Sequence, residues 1–324
     1  MGIVLGVKRL INVILVVTKR PSRQNPTVDA IETILRETEK ARDEAIKTQK
    51  AQAAKIKKLE KENALIRSVS LEAKPTKQQY EEAKSMLKDP NGLFYHFAVA
   101  GHAGTGKSSL INALRGCKDK DKGAAKVGVA ETTMEIGRYP DNNSAFDKFV
   151  WYDIPGAGTQ LNSQWQYFHD KRLFVFDFVI ICWKDRIMET DMQILKSCKT
   201  WNIPTFFVRT SSKTHIFNLM QSEEITNKDA TAELRNTTRK TVEENFRQGN
   251  YNGPAKVYIT DRYVLQQIVS NFTKKFHLVK DYNFTADDMR EIVNVQGIID
   301  EPSFLMDLVV TARERRCKKL NLSQ

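Results

Sequence analysis

Gly101-His102-Ala103-Gly104-Thr105-Gly106-Lys107-Ser108 reads G-x-x-x-x-G-K-S, the pattern of a loop that wraps a polyphosphate. Its glycines let backbone N–H groups come close to phosphate oxygens. The Lys107 ammonium is suited to the β- and γ-phosphates, and the Ser108 hydroxyl is a ligand for Mg²⁺. Ahead of the loop, Phe94–Ala100 is an apolar run of strand length. Behind it, Ser109–Arg115 has helical period. Strand, glycine-rich loop and helix is the order such a loop requires, and the helix N-terminus adds its positive pole to the anion site. The stretch therefore predicts an α/β chain of the P-loop NTPase class with a mostly parallel sheet. Its expected nucleotide contacts are Gly101, Ala103, Gly104, Thr105, Gly106, Lys107, Ser108 and Ser109.

Working downstream, the polar Lys118–Lys126 stretch reads as a flexible loop. Val127–Glu135 then leads into a strand and stands where GTPases carry their first switch. Thr132 and Thr133 are both candidates for the threonine that caps Mg²⁺. Ser108, Thr133 and Asp153 form the expected metal set. Phe149–Gly156 is a strand ending in D-x-x-G: Asp153 is placed to hold the Mg²⁺ shell through water, and the Gly156 N–H to meet the γ-phosphate. Ala157 follows, where Ras-type GTPases have a water-orienting Gln, so hydrolysis is slow or uses another group.

Val175–Trp183 is a doubly buried strand, Glu189–Thr200 a helix and Ile203–Thr210 the next strand. A guanine-reading N/T-K-x-D is due at that strand's end, and Thr210-Ser211-Ser212-Lys213 stands there instead. An ammonium at 213 cannot accept from the guanine N1–H and N2–H, so guanine selectivity is not specified by this loop. Asn227-Lys228-Asp229 has the wrong spacing and falls well inside a helix expected over Ile216–Arg247. Val257–Thr260 is the last strand, and Thr260-Asp261-Arg262 occupies the base-contacting turn. Gly156, Thr210 and Thr260 join the expected nucleotide contacts.

Length and composition bound the rest. The chain has 324 residues, 41% hydrophobic, with net charge +12, enough for a sizeable core and compatible with an anionic partner. No basic groove interleaved with aromatics is visible, so no nucleic-acid partner is expected. Cys117, Cys182, Cys198 and Cys317 show no metal spacing and read as reduced thiols of a cytoplasmic protein. Ile3–Val17 is mostly aliphatic, but its uninterrupted part, Val13–Val17, is far shorter than the ~20 residues of a membrane span. With Lys8, Arg9, Lys19, Arg20 and Arg23 it suits peripheral contact with an anionic membrane or packing on the protein itself. Gly2 suits myristoylation, although Gly6 stands where that signal has Ser or Thr.

Val28, Ile31, Leu35, Thr38, Arg42, Ala45, Gln49, Gln52, Ile56, Leu59, Asn63 and Ile66 form a heptad seam. It predicts a weak coiled coil, a partner-binding helix or a solvated single helix. Gln78–Leu87 is a short helix closed by Pro90-Asn91-Gly92. Val264–Phe276 and Ser303–Lys319 are amphipathic helices, the second with a core stripe of Phe304, Leu305, Leu308, Val309 and Ala312. The expected parts are an apolar and basic segment (1–20), a heptad helix (21–70), a connecting helix and turn (71–91), the nucleotide domain (92–265) and a C-terminal helical region (266–324).

Gly101–Ser108, Gly123–Met134, Asp153–Thr159 and Phe176–Asp191 together resemble the immunity-related GTPase family. The heptad N-terminus looks more like non-vertebrate or fungal members. The resemblance implies a Ras-like G domain flanked by a helical domain from both chain ends, with GTP, GDP and Mg²⁺ as ligands. It also implies slow hydrolysis quickened by homo-oligomerisation through G domains, and reversible attachment to intracellular membranes. A catalytic switch Glu of the family matches Glu131, which would act beside Lys107; the base-reading Thr, Lys and Asp fall on Thr210, Ser211 and Lys213. Two readings stay open: a weak GTPase switch, and a non-catalytic scaffold that keeps the fold with degraded guanine selectivity.

Overall fold

A computed structural model describes residues 26–72, 75–128, 135–156, 166–276 and 286–321. By contact the chain divides into two units, Met1–Leu65 and Ile66–Gln324. Helix α1 runs over Pro26–Glu72, with proline at its first position, where the missing N–H costs nothing. Ile56 and Leu59 of the heptad seam are exposed on it. Among the described residues no helix is long and apolar enough to cross a membrane.

The second unit is built on six strands: β1 (Tyr95–Ala100), β2 (Gly137–Pro140), β3 (Phe149–Asp153), β4 (Phe178–Trp183), β5 (Thr205–Arg209) and β6 (Lys256–Ile259). Their order is β2-β3-β1-β4-β5-β6; every neighbouring pair is parallel except β2 with β3. This is the α/β P-loop NTPase fold with the mostly parallel sheet of a Ras-like G domain. The continuous apolar runs of β1, β3 and β4 follow from burial on both faces. Ala98, Ala100, Val150, Tyr152, Val179, Ile181 and Trp183 enter one core. Phe97, Val99, Phe149, Trp151, Phe178, Ile180 and Cys182 alternate into the other.

The first core is closed by Ala83 of α2 (Lys77–Ser85), by Met192 and Leu195 of α4 (Glu189–Thr200) and by Val242 of α6 (Asn227–Gln248). The second is closed by Leu110, Ile111 and Leu114 of α3 (Lys107–Leu114), by Leu265 and Val269 of α7 (Arg262–Phe276), and by α9 (Glu301–Asn321). Phe304, Leu308 and Ala312 of α9 are buried there, with Leu305 and Val309 packed alongside, so the C-terminal stripe is core. Helix α8 spans Ala286–Ile292. Cys117, Cys182 and Cys198 are buried free thiols, as expected.

Two expectations change. The single helix over Ile216–Arg247 is two, α5 (Ser212–Glu223) and α6, because Glu224 turns left-handed (φ 53°) and Thr226 caps a new start by accepting from the Asp229 amide. Asn227-Lys228-Asp229 therefore opens a helix and does not lie deep inside one. The Lys118–Lys126 loop is anchored: Asn112 Nδ2 donates to Ala125 O (2.9 Å), its Oδ1 accepts from Ala125 N (2.7 Å), and Arg115 Nη1 donates to Gly123 O (2.9 Å). Ala125 is fully buried as a result.

Candidate nucleotide site

Parallel strands put all their carboxyl ends on one edge, so strand order decides what lies beside what. Along that edge come Gly156 after β3, the glycine-rich loop after β1, Lys184 after β4, Thr210 and Ser211 after β5, and Thr260–Tyr263 after β6. A cavity of about 390 Å³ follows this edge and is lined by residues from each of these loops. Four strand steps of about 4.8 Å separate β3 from β6, so one end lies under the glycine-rich loop and the other between the β5 and β6 loops.

At the first end, Gly104 and Gly106 take φ of +78° and +82°, and α3 starts directly after Gly106. Lys107 is buried and its Nζ donates to His102 O at 3.0 Å; the Thr105 hydroxyl donates to the same carbonyl at 2.9 Å. Asp153 pairs with Val99 in the β1–β3 ladder, which sets its carboxylate next to the loop. The Ser108 hydroxyl donates to Asp153 Oδ2 at 2.5 Å. A Cβ on Gly156 would lie 2.7 Å from the Ala103 amide nitrogen, so only glycine lets the D-x-x-G turn close on the glycine-rich loop. Among the described residues no three His, Cys, Asp or Glu cluster as a metal cage. A hydroxyl and a carboxylate side by side do fit Mg²⁺, which keeps most of its shell as water and phosphate oxygen.

The loop is tied from beside and below. Thr210 Oγ1 donates to Thr105 O at 2.8 Å, so its hydroxyl is spent on positioning the loop. Asp191 of α4 is fully buried and accepts from the Met188 amide at 2.9 Å. Burial pushes its carboxyl up to about 7, against the opposing pull of the Met188 and His102 amides and of the Lys107 charge.

Ala103, Gly104, Gly106, Lys107, Ser108, Ser109, Gly156, Thr210 and Thr260 all line the cavity. Gly101 and Thr105 do not: Gly101 packs against the Cys182 carbonyl of β4, and Thr105 folds back on His102. Glu131, Thr132, Thr133 and Ala157 lie outside the described residues. Lys184, Thr214 and Tyr263 line the cavity without having been expected there. The rule that ligands sit beyond the carboxyl ends of parallel strands would have found Lys184, the first residue after β4.

The interferon-inducible GTPase (IIGP) family matches residues 63–280. Interferon-inducible GTPase 1 of Mus musculus is 36% identical over 132 residues, 41% of this chain and 32% of that protein. T-cell-specific guanine nucleotide triphosphate-binding protein 2, also of Mus musculus, is 34% identical over 135 residues, 42% of this chain and 32% of that protein. The matched stretch thus spans about a third of the length of these relatives. Among solved structures, Toc33 from Arabidopsis thaliana in complex with Mg²⁺ and GMPPNP aligns with TM-score 0.41 and 16% identity, over 76% of this chain and 97% of that one. With the family matched across the glycine-rich loop, D-x-x-G and all six strands, the chain belongs to the interferon-inducible GTPases.

Proposed function

We propose that this protein binds GTP with Mg²⁺, hydrolyses it slowly, and works as a self-assembling switch. The observation that carries the reading is the cradle itself. Gly104, Gly106, Lys107 and Ser108 line an open cavity, with Asp153 bonded to Ser108 and Gly156 closed on Ala103. Lys107 would exchange the His102 carbonyl for a phosphate oxygen, and the amides at the start of α3 would meet the same anion. Ser108 and Asp153 would hold Mg²⁺, which would supply positive charge to offset the negative charge of the phosphates. Glu131 is our general-base candidate, and Thr133 our second Mg²⁺-capping hydroxyl.

Family membership supports guanine as the base. We further infer G-domain pairing as the route to faster turnover, and a peripheral place on an intracellular membrane through the basic N-terminus. The scaffold reading is favoured by Ser211 and Lys213, which cannot read guanine as the usual Lys and Asp do. Titration of fluorescent GTP, GDP and ATP with Mg²⁺ separates the two. The switch reading expects guanine nucleotides to bind below millimolar and turnover per molecule to rise with protein concentration. No binding by any of the three leaves the scaffold. Sedimentation with anionic vesicles tests the membrane contact; recovery in the supernatant removes it.

A further inference from the structure

The base end of the cavity holds a charge that phosphate binding does not explain. Lys107 and Lys184 line the cavity as a polyanion requires, and Arg262 lines it with its guanidinium paired to Asp119, yet one carboxylate, Asp261, lines it too. An anion in an anion site is a cost unless it meets hydrogen-bond donors on the ligand. Asp261 is 4% exposed. Its Oδ1 accepts from the Tyr263 amide at 2.9 Å, capping the first turn of α7. Its Oδ2 accepts no hydrogen bond among the described residues. A cap needs an oxygen and no charge, since Asn or Ser serves equally well, so the cap leaves the carboxylate unexplained.

The turn that carries Asp261 is built with unusual care. Glu301, fully buried at the start of α9, accepts from the Asp261 amide (2.8 Å) and from the Ile299 amide (2.7 Å). Asp300 beside it accepts from the Ile259 amide at 2.9 Å and pairs with Arg235. Meanwhile Lys213, where the guanine-reading Asp of the β5 loop was due, does not line the cavity. Its Cε lies only 3.4 Å from where a Cβ on Gly297 would stand, turned toward the segment before α9.

We propose that Asp261, on the β6 loop, reads guanine in this protein by accepting from its N1–H and N2–H through the carboxylate oxygen that the helix cap does not use, replacing the acceptor that the β5 loop has lost. The inference rests on the nucleotide-binding reading above and adds base selectivity to it. Adenine presents an acceptor at N1 and meets Asp261 with repulsion, so guanine is preferred. Lys184, on the β4 loop next to that of β5, lines the same cavity and supplies a lysine where Ser211 does not.

The test is Asp261→Asn in the full chain, read by competition of GDP, IDP, XDP and ADP against fluorescent GDP. Asn keeps the cap but places an N–H₂ where guanine has its own donor and xanthine an oxygen. Wild type should bind GDP about tenfold or more tighter than IDP, which lacks the 2-amino group, because a hydrogen bond to a charged partner is lost. D261N should weaken GDP by about ten- to a hundredfold and favour XDP over GDP. D261N binding GDP like wild type overturns the proposal and leaves the nucleotide reading intact. Equal affinity of wild type for GDP and IDP overturns it too, without any variant having to fold. Failure of wild type to bind any of these nucleotides overturns both readings together.

Discussion

Replacing Thr210 by Val removes one hydroxyl and almost no volume, and so isolates the bond from Thr210 Oγ1 to Thr105 O (2.8 Å). Both partners are buried, Thr105 and Thr210 each at 7% exposure. A neutral hydrogen bond contributes about 0.5–1.5 kcal/mol net, and a buried carbonyl left without its donor costs about 1–3 kcal/mol. The weaker contact of the same hydroxyl with Trp183 O, at 3.4 Å, adds little. We therefore expect T210V to lose about 2 kcal/mol of unfolding free energy. The loop can relax in the free protein but must regain its geometry around phosphate. Up to that same energy should appear as weaker GTP binding, a Kd raised by up to about thirtyfold. Urea unfolding at 25 °C and fluorescent-nucleotide titration read the two effects, and Thr210→Ser, which keeps the hydroxyl, should recover most of both. Stability within about 0.3 kcal/mol of wild type together with an unchanged Kd would refute the tether and return Thr210 to a role at the base.

Further expectations follow from the same site. Lys107→Ala removes the buried ammonium from the cradle and should weaken GTP by well over tenfold by titration, with the circular dichroism spectrum retained. Asp191 holds its proton in the fold up to about 7, whereas in the unfolded chain it ionises near an ordinary carboxylate value. The unfolded state thus sheds the proton first, and stability should fall as pH rises from about 4 through 7. Asp191→Asn should flatten that slope in urea unfolding at several pH values; an unchanged slope assigns it to other groups. Gly101→Ala would put a Cβ 2.2 Å from the Cys182 carbonyl oxygen at a φ of +133°, and should cost more than about 3 kcal/mol, seen as a large drop in melting temperature or insoluble protein.

How much of this was readable without coordinates differs from residue to residue. The placement of Lys107, Ser108 and Asp153 was legible because it follows from local spacing and from strand–loop–helix order. The break at Glu224 was not, since the helical pattern on either side is continuous and one left-handed residue carries no hydrophobic signature. The Asn112 anchor that holds the charged loop was hidden for another reason. A polar residue inside a helix says nothing of which distant backbone it will meet. The strand-end position of Thr210 in the cavity wall was legible, whereas the bond of its hydroxyl to the Thr105 carbonyl was not.

The sequence by itself determined the class of the protein: a mostly parallel sheet, a glycine-rich loop at 101–108 between strand and helix, a D-x-x-G turn carrying Asp153 and a buried C-terminal stripe. Hydrophobic period and glycine placement are local quantities and need no partner to be read. Only the tertiary structure added Lys184 to the far end of the cavity and showed what holds the Asp261 turn there. There Lys184, Ser211 and Asp261 come from three loops that meet because β4, β5 and β6 lie side by side, and Glu301 of the last helix holds the turn in place. Residues so far apart in the chain share a site only through strand order, which long-range packing sets and no short stretch encodes.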